Sequence, residues 1–285
     1  MSLSNTAPLG VFDSGLGGLT VVRALRRELA RESIVYLGDT ARIPYGTRTA
    51  ATVCRYAEGC AEVLLQHGIK VLVVACNTVS AVALDVLAAK LAVPVIGVVE
   101  PGAQAAVDAA RELENAGVPQ PKIGVLGTEG TVRSGAYVRA VQRISSRFEV
   151  LAEAAPLLVP LAEEGWVEGD VPRLAAERYV RPLVAGGASV LLLGCTHYPL
   201  LEPVIREAAE RLSAGPIRIV DSGAATARAL GQLLAARNLA TSSTSPPALH
   251  LLATDLPASL KNSARRFLGA EVKDVQQVDL TDPRS

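Results

Sequence analysis

Lys70-Val-Leu-Val-Val-Ala-Cys-Asn-Thr78 is a run of branched apolar residues that ends abruptly in a thiol, an amide and a hydroxyl, and a helical pattern from Ser80 to Leu91 follows it. A short run that is apolar on both faces is the signature of a strand buried within a parallel sheet. The same pattern recurs at Leu9 to Phe12, Ile34 to Leu37, Val95 to Val99, Ile123 to Leu126, Val190 to Leu193 and Ile217 to Val220. Leu19 to Arg31, Ala50 to His67 and Ala103 to Ala116 carry alanine, leucine and charge at helical intervals between the runs. Short apolar strands alternating with longer helices predict a doubly wound α/β fold with mainly parallel sheets.

An internal repeat runs through this pattern. Leu9-Gly-Val-Phe-Asp13 resembles Ile123-Gly-Val-Leu-Gly127, and Lys70 to Thr78 resembles Ala188-Ser-Val-Leu-Leu-Leu-Gly-Cys195-Thr196. Two similar α/β halves are the expectation. Thr241-Ser-Ser-Thr-Ser-Pro-Pro247 reads as a loop; from Leu249 to Leu280 an apolar strand, a helix around Leu260 to Phe267 and a final strand follow, and this tail is expected to pack back on the first half.

Composition narrows the partner. The 285 residues, 49% hydrophobic, suffice for two modest domains with buried cores. With 28 basic and 28 acidic residues the formal charge is zero, which argues against an electrostatic grip on nucleic acid or an anionic membrane and favours a small-molecule substrate. Met1 to Pro8 is polar, and no apolar run reaches the roughly 18 residues of a membrane span, so a cytoplasmic location is expected. The four cysteines form no C-x-x-C pair and are expected to be reduced. Cys54 and Cys60 lie in the helical pattern around Val53, Ala57, Ala61 and Leu64 and read as small packing residues.

In open α/β sheets ligands bind beyond the carboxyl ends of the strands, and there this chain is polar. Asp13-Ser14-Gly15-Leu-Gly17-Gly18 follows the first run, Gly38-Asp39-Thr40 the second with Pro44-Tyr45-Gly46 after it, Cys76-Asn77-Thr78 the third, and Cys195-Thr196-His197-Tyr198-Pro199 a run in the second half. Each of these two thiols is expected at a strand end that opens a helix, where unpaired N–H groups and the helix dipole favour the thiolate. His197 and Asp13 are candidate bases beside them. A single cysteine after a strand is most simply a packing residue. Two in equivalent places of a repeat, flanked by amide and hydroxyl groups able to bind a carboxylate or ammonium, point to paired acid/base work.

Other chemistries fit less well. The glycine-rich turn has Thr20 where G-x-G-x-x-G needs its third glycine, so it reads as a turn that brings backbone N–H groups to an anion such as a carboxylate. Pyridoxal phosphate needs a lysine near the substrate. Lys70 and Lys122 precede strands, Lys90 lies in a helical pattern, and Lys261 and Lys273 are in the tail. Cys76, Cys195 and His197 lack a locally spaced further ligand to complete a zinc shell, so no cofactor and no metal are expected. A binding or redox-regulatory protein with a Cys76–Cys195 disulfide is the reading from a different class.

Taken together, Val11-Phe-Asp13-Ser14-Gly-Leu-Gly-Gly-Leu-Thr-Val, Tyr36-Leu-Gly-Asp-Thr-Ala-Arg-Ile-Pro44-Tyr45-Gly46, Ala75-Cys76-Asn77-Thr78 and Leu193-Gly-Cys195-Thr196-His197-Tyr198-Pro199-Leu closely resemble the bacterial glutamate racemases. The resemblance spans nearly the whole chain and is weakest in the tail. It implies two pseudo-symmetric α/β domains, residues 1–100 plus 216–285 and residues 101–215, with the active site in the interdomain cleft. It implies cofactor-independent production of D-glutamate for peptidoglycan synthesis in the cytoplasm, commonly by a homodimer. Carried over, Cys76 assisted by Asp13 resembles the base acting on D-glutamate, and Cys195 assisted by His197 its counterpart for L-glutamate. Glu163, favoured over Glu164, resembles a further assisting carboxylate. Ser14, Pro44, Tyr45, Gly46, Asn77, Thr78 and Thr196 resemble substrate contacts, with Thr128 and Thr131 as weaker candidates. An aspartate racemase is the nearest alternative.

Overall fold

The computed structural model describes residues 4–255, 257–272 and 274–280. They form two compact units, one holding the chain up to Val98 and again from Thr226, the other Val99–Ala225. In the first, β1 (Leu9–Asp13), α1 (Leu19–Glu28), β2 (Ile34–Gly38), α2 (Ala50–Gln66), β3 (Val71–Val74), α3 (Asn77–Lys90) and β4 (Val95–Gly97) follow the alternation expected. The second comprises α4 (Val99–Asn115), β5 (Lys122–Gly127), α5 (Glu129–Ser134), α6 (Ala136–Ile144), β6 (Val150–Ala154), α7 (Leu158–Glu164), α8 (Asp170–Ala185), β7 (Ala188–Gly194), a 3₁₀ turn (Tyr198–Leu201), α9 (Glu202–Leu212) and β8 (Arg218–Asp221). Helix α10 (Ser222–Ala236) leads back to the first unit, which adds β9 (Leu249–Ala253), α11 (Pro257–Leu268) and β10 (Gln276–Gln277).

Among the described residues the first unit has a sheet in the order β10-β9-β2-β1-β3-β4 and the second a sheet in the order β6-β5-β7-β8. All the pairings are parallel. Both sheets share one motif, β2-β1-β3-β4 in the first and β6-β5-β7-β8 in the second, so the sequence repeat corresponds to a repeated topology. In each, the chain moves outward to one neighbour and then crosses back to the other side. The switch point lies between β1 and β3, and between β5 and β7, and such crevices are where open α/β sheets bind ligands.

Burial explains the apolar runs. Leu9, Val11 and Phe12 of β1 and every residue of β3 are fully buried, because helices cover both faces. Phe12, Val53, Ala57, Cys60, Leu64, Leu72 and Val74 belong to one core cluster, so Cys60 is a packing residue as its helical spacing suggested. In the second unit Leu126, Leu158, Leu161, Val180, Leu191 and Leu193 form the corresponding core.

Two features differ from the sequence reading. Strand β6 has no counterpart among the apolar runs, because Val150-Leu-Ala-Glu-Ala is an edge strand, only half-buried, without the dense Val/Leu pattern of its neighbours. The second unit extends to Ala225 rather than ending near Pro216, since β8 pairs with β7 and completes that sheet. The tail does return to the first unit, with β9 beside β2.

At the opposite edge of the first sheet, Lys70 is fully buried. Its Nζ donates to Glu32 Oε2 at 2.6 Å and to the Asn5 carbonyl at 2.6 Å, and Glu32 Oε1 accepts from Thr241 N–H at 2.8 Å. Removing one partner of a buried pair strands the other charge, which costs about 3–5 kcal/mol. Lys70→Met is therefore expected to destabilise the protein by that amount in urea unfolding monitored by circular dichroism.

Candidate active site

The first thiol arises where β3 stops. Cys76 is the N-cap of the fourteen-residue α3, with extended backbone (φ −67°, ψ 122°), and its carbonyl accepts from Ser80 N–H at 2.9 Å. The thiol lies at the helix end that carries partial positive charge. Asn77 and Thr78, both buried, form the first turn. Ala75 N–H donates to the Phe12 carbonyl at 2.8 Å, which ties the end of β3 to that of β1, and across the switch point Ser14 Oγ lies 3.3 Å from Cys76 Sγ.

Asp13 is 1% exposed, and its Oδ2 accepts from Gly15 N–H at 3.0 Å. The turn wraps so tightly that a Cβ on Gly18 would fall 2.4 Å from Asp13 Cβ, so glycine is required there. The Tyr36 hydroxyl donates to the Gly15 carbonyl at 2.7 Å. Burial, and then the charges of Asp13 and Cys76, push that hydroxyl well above its ordinary pKa, so it stays a proton donor.

Pro44, Tyr45 and Gly46 lie in the loop after β2, Pro44 exposed and Tyr45 buried. The Tyr45 hydroxyl donates to Asp39 Oδ2, which leaves its side chain engaged with the protein's own carboxylate rather than with the thiol.

The second thiol, Cys195, follows β7 and is 5% exposed. It opens no α-helix, contrary to expectation. The 3₁₀ turn with Pro199 near its start comes next, and α9 begins only at Glu202. A histidine takes the place of the helix end. His197 Nδ1 is 3.8 Å from Cys195 Sγ and 3.4 Å from Thr196 Oγ1, while Nε2 is 2.9 Å from Glu163 Oε1. Of the two candidate carboxylates it is Glu163 that reaches the imidazole, from the last turn of α7, which left-handed Gly165 terminates.

Burial works against the imidazolium, but hydrogen bonds to Cys195 and Glu163 and their charges outweigh it and raise His197 from 6.5 to about 10. Thr128 and Thr131 lie beyond β5; Thr128 Oγ1 caps α5 by accepting from Thr131 N–H at 3.2 Å. The Tyr198 hydroxyl, part of the quoted motif but given no role there, lies 3.0 Å from the Gly127 carbonyl and 2.8 Å from that of Ala155, bridging the ends of β5 and β6. An aromatic hydroxyl just after a thiol motif was its one available signal.

Of the lysines, Lys70, Lys90 and Lys122 pair with Glu32, Glu58 and Glu149, and Lys261 is exposed on α11. Lys273 lies outside the described residues. Among the described residues no group of three or more His, Cys, Asp or Glu side chains could hold a metal ion.

A family model described as Asp/Glu/Hydantoin racemase matches residues 15–230, most of the chain, and defines the class as amino-acid racemases. A curated glutamate racemase from Geobacter metallireducens is 44% identical over 272 residues, covering 95% of this chain and 96% of its own. The crystal structure of a glutamate racemase isoform from Bacillus anthracis aligns with a TM-score of 0.86 at 35% identity, covering 96% of this chain and 98% of that one. The glutamate racemase of Francisella tularensis, solved with D-glutamate, gives a TM-score of 0.86 at 32% identity over 97% and 98%. The chain belongs to the Asp/Glu/Hydantoin racemase family and, within it, to the glutamate racemases.

The Glu163 contact makes a testable difference. Glu163→Gln removes a charge that favours the imidazolium, so His197 is expected to release its proton at lower pH than the wild type's value of about 10, read by NMR titration of the ring. The folded state holds this proton more tightly than the unfolded chain, so its stabilising contribution is whole below about pH 6.5 and lost as pH rises through about 10. The stability gap between wild type and Glu163→Gln is expected to narrow over that window.

Proposed function

We propose that this protein interconverts D- and L-glutamate without a cofactor, using Cys76 and Cys195 as the two acid/base groups, and so supplies D-glutamate for peptidoglycan synthesis. One observation carries the reading. The two thiols occupy equivalent positions of a repeated strand order, each beside the switch point of its own sheet and each with a polar companion in reach. The choice of glutamate over aspartate is supported by relatives that are named glutamate racemases over nearly their full length.

Inverting a carbon without a cofactor requires taking its hydrogen as a proton from one face and delivering another to the opposite face. From D-glutamate, Cys76 as thiolate takes the α-proton while Cys195 as thiol gives one to the other face. The product is L-glutamate, and the enzyme is left with Cys76 protonated and Cys195 ionised, the form that accepts L-glutamate. His197, as a cation held by Glu163, stabilises the Cys195 thiolate; Asp13 and the α3 terminus serve Cys76. Ser14, Asn77, Thr78 and Thr196 supply groups for the substrate's carboxylates and ammonium. Positioned donors at the α-carboxylate lower the cost of the carbanion.

Circular dichroism of the purified protein with D-glutamate, and separately D-aspartate, in deuterated buffer without added cofactor tests the proposal. Loss of optical activity from glutamate with α-deuterium uptake is expected; success with aspartate alone would overturn the substrate assignment. Cys76→Ala and Cys195→Ala are each expected to lower kcat/KM by at least the roughly 10²–10⁴-fold of one positioned acid or base, whereas Cys54→Ala leaves it unchanged.

A further inference from the structure

Asp39, at the end of β2, is a fully buried carboxylate that the proposed proton transfers do not use. Its Oδ2 accepts from the Tyr45 hydroxyl and from Arg42 Nε at 2.7 Å, and its own N–H donates to the Asp13 carbonyl at 3.0 Å. Its Oδ1 accepts from the hydroxyl of Thr254 at 2.8 Å. Thr254 comes from a distant part of the chain, just past β9 in the C-terminal return, beyond the residues matched by the family model.

Thr254 makes further contacts to the same loop. Its Oγ1 accepts from Ala41 N–H at 2.9 Å, and its N–H donates to the Gly38 carbonyl at 3.2 Å. The next residue repeats the pattern: the Thr40 hydroxyl donates to the Asp255 carbonyl and accepts from Asp255 N–H at 2.9 Å. The loop that carries Pro44, Tyr45 and Gly46 has no regular structure of its own. Its conformation is set instead by Asp39 from within and by Thr254 and Asp255 from the return segment, and these bonds offset the entropy of ordering it.

We infer that Thr254 is a positioning residue for substrate binding: through Asp39 and Ala41 it holds the Pro44–Gly46 loop in its binding conformation, which gives the C-terminal return a part in the site. The inference rests on the proposed glutamate racemisation and on the substrate contact that the family resemblance implies for Pro44, Tyr45 and Gly46. Thr254 touches neither thiol in the contacts described, so it is expected to act on binding and not on proton transfer.

Thr254→Val keeps the shape of the side chain while deleting both the donor to Asp39 and the acceptor for Ala41. KM for D- and L-glutamate is expected to rise roughly fivefold to tenfold, the weight of one or two hydrogen bonds, with kcat little changed. Thr254→Ser, which retains the hydroxyl, restores the wild-type KM. Hydrogen exchange at Ala41 reads the latch without reference to any substrate and is expected to quicken in Thr254→Val alone. An unchanged KM in an active Thr254→Val enzyme, equal damage to both variants, or an unchanged exchange rate at Ala41 would each overturn the inference. An inactive wild type with faster exchange in Thr254→Val would instead overturn the reading of function and leave the loop latch standing.

Discussion

In each unit a central strand is hydrogen-bonded along its length to the strand two steps earlier in that unit's chain order, β3 to β1 and β7 to β5, and these pairings decide which side chains can meet. The central strands β3 and β7 are buried along their whole length, and Ser189 near the start of β7 is their one polar side chain. Polar side chains gather instead at and just beyond their carboxyl ends. Because Ala75 is bonded to Phe12, the next residues on each side, Cys76 and the Asp13-Ser14 turn, are brought into contact. Gly194 paired with Gly127 likewise places Cys195 and Thr128 at neighbouring strand ends.

The two thiols are equivalent in topology and unlike in electrostatics. Cys76 begins a long α-helix and has a buried carboxylate on the neighbouring strand end. Cys195 is followed by a 3₁₀ turn that contains Pro199 rather than by an α-helix, and there an imidazole held by Glu163 supplies positive charge. A side-chain cation titrates and a helix dipole does not. The two thiols also differ in their titratable neighbours: His197 with Glu163 beside Cys195, and the Asp13 carboxyl on the strand end next to Cys76.

Much of this was legible in the residues. Buried parallel strands write themselves as Val/Leu runs, so β1, β2, β3, β5 and β7 were located to within a residue or two, and both thiols with their flanking polar residues followed from the ends of those runs. Edge strand β6 was not, because half its surface is wet and its Val150-Leu-Ala-Glu-Ala composition matches a helix as well as a strand. Nor was the Asp39–Thr254 contact, which joins residues 215 positions apart and so leaves no local pattern. Between Glu163 and Glu164 the resemblance favours the first, and the last turn of α7 brings that one to the His197 ring.

The buried pair of Lys70 and Glu32 has a bearing on the thiol at the far end of the same strand. Lys70 immediately precedes β3, and Cys76 lies six residues further along, roughly 20 Å at the rise of an extended chain. A slip of β3 by one residue against β1 would draw the ammonium away from its carboxylate and turn every side chain to the opposite face. The ion pair thus works as an end-stop on a sliding rod. The location of the Cys76 sulfur is thereby tied to a contact at the opposite rim of the sheet.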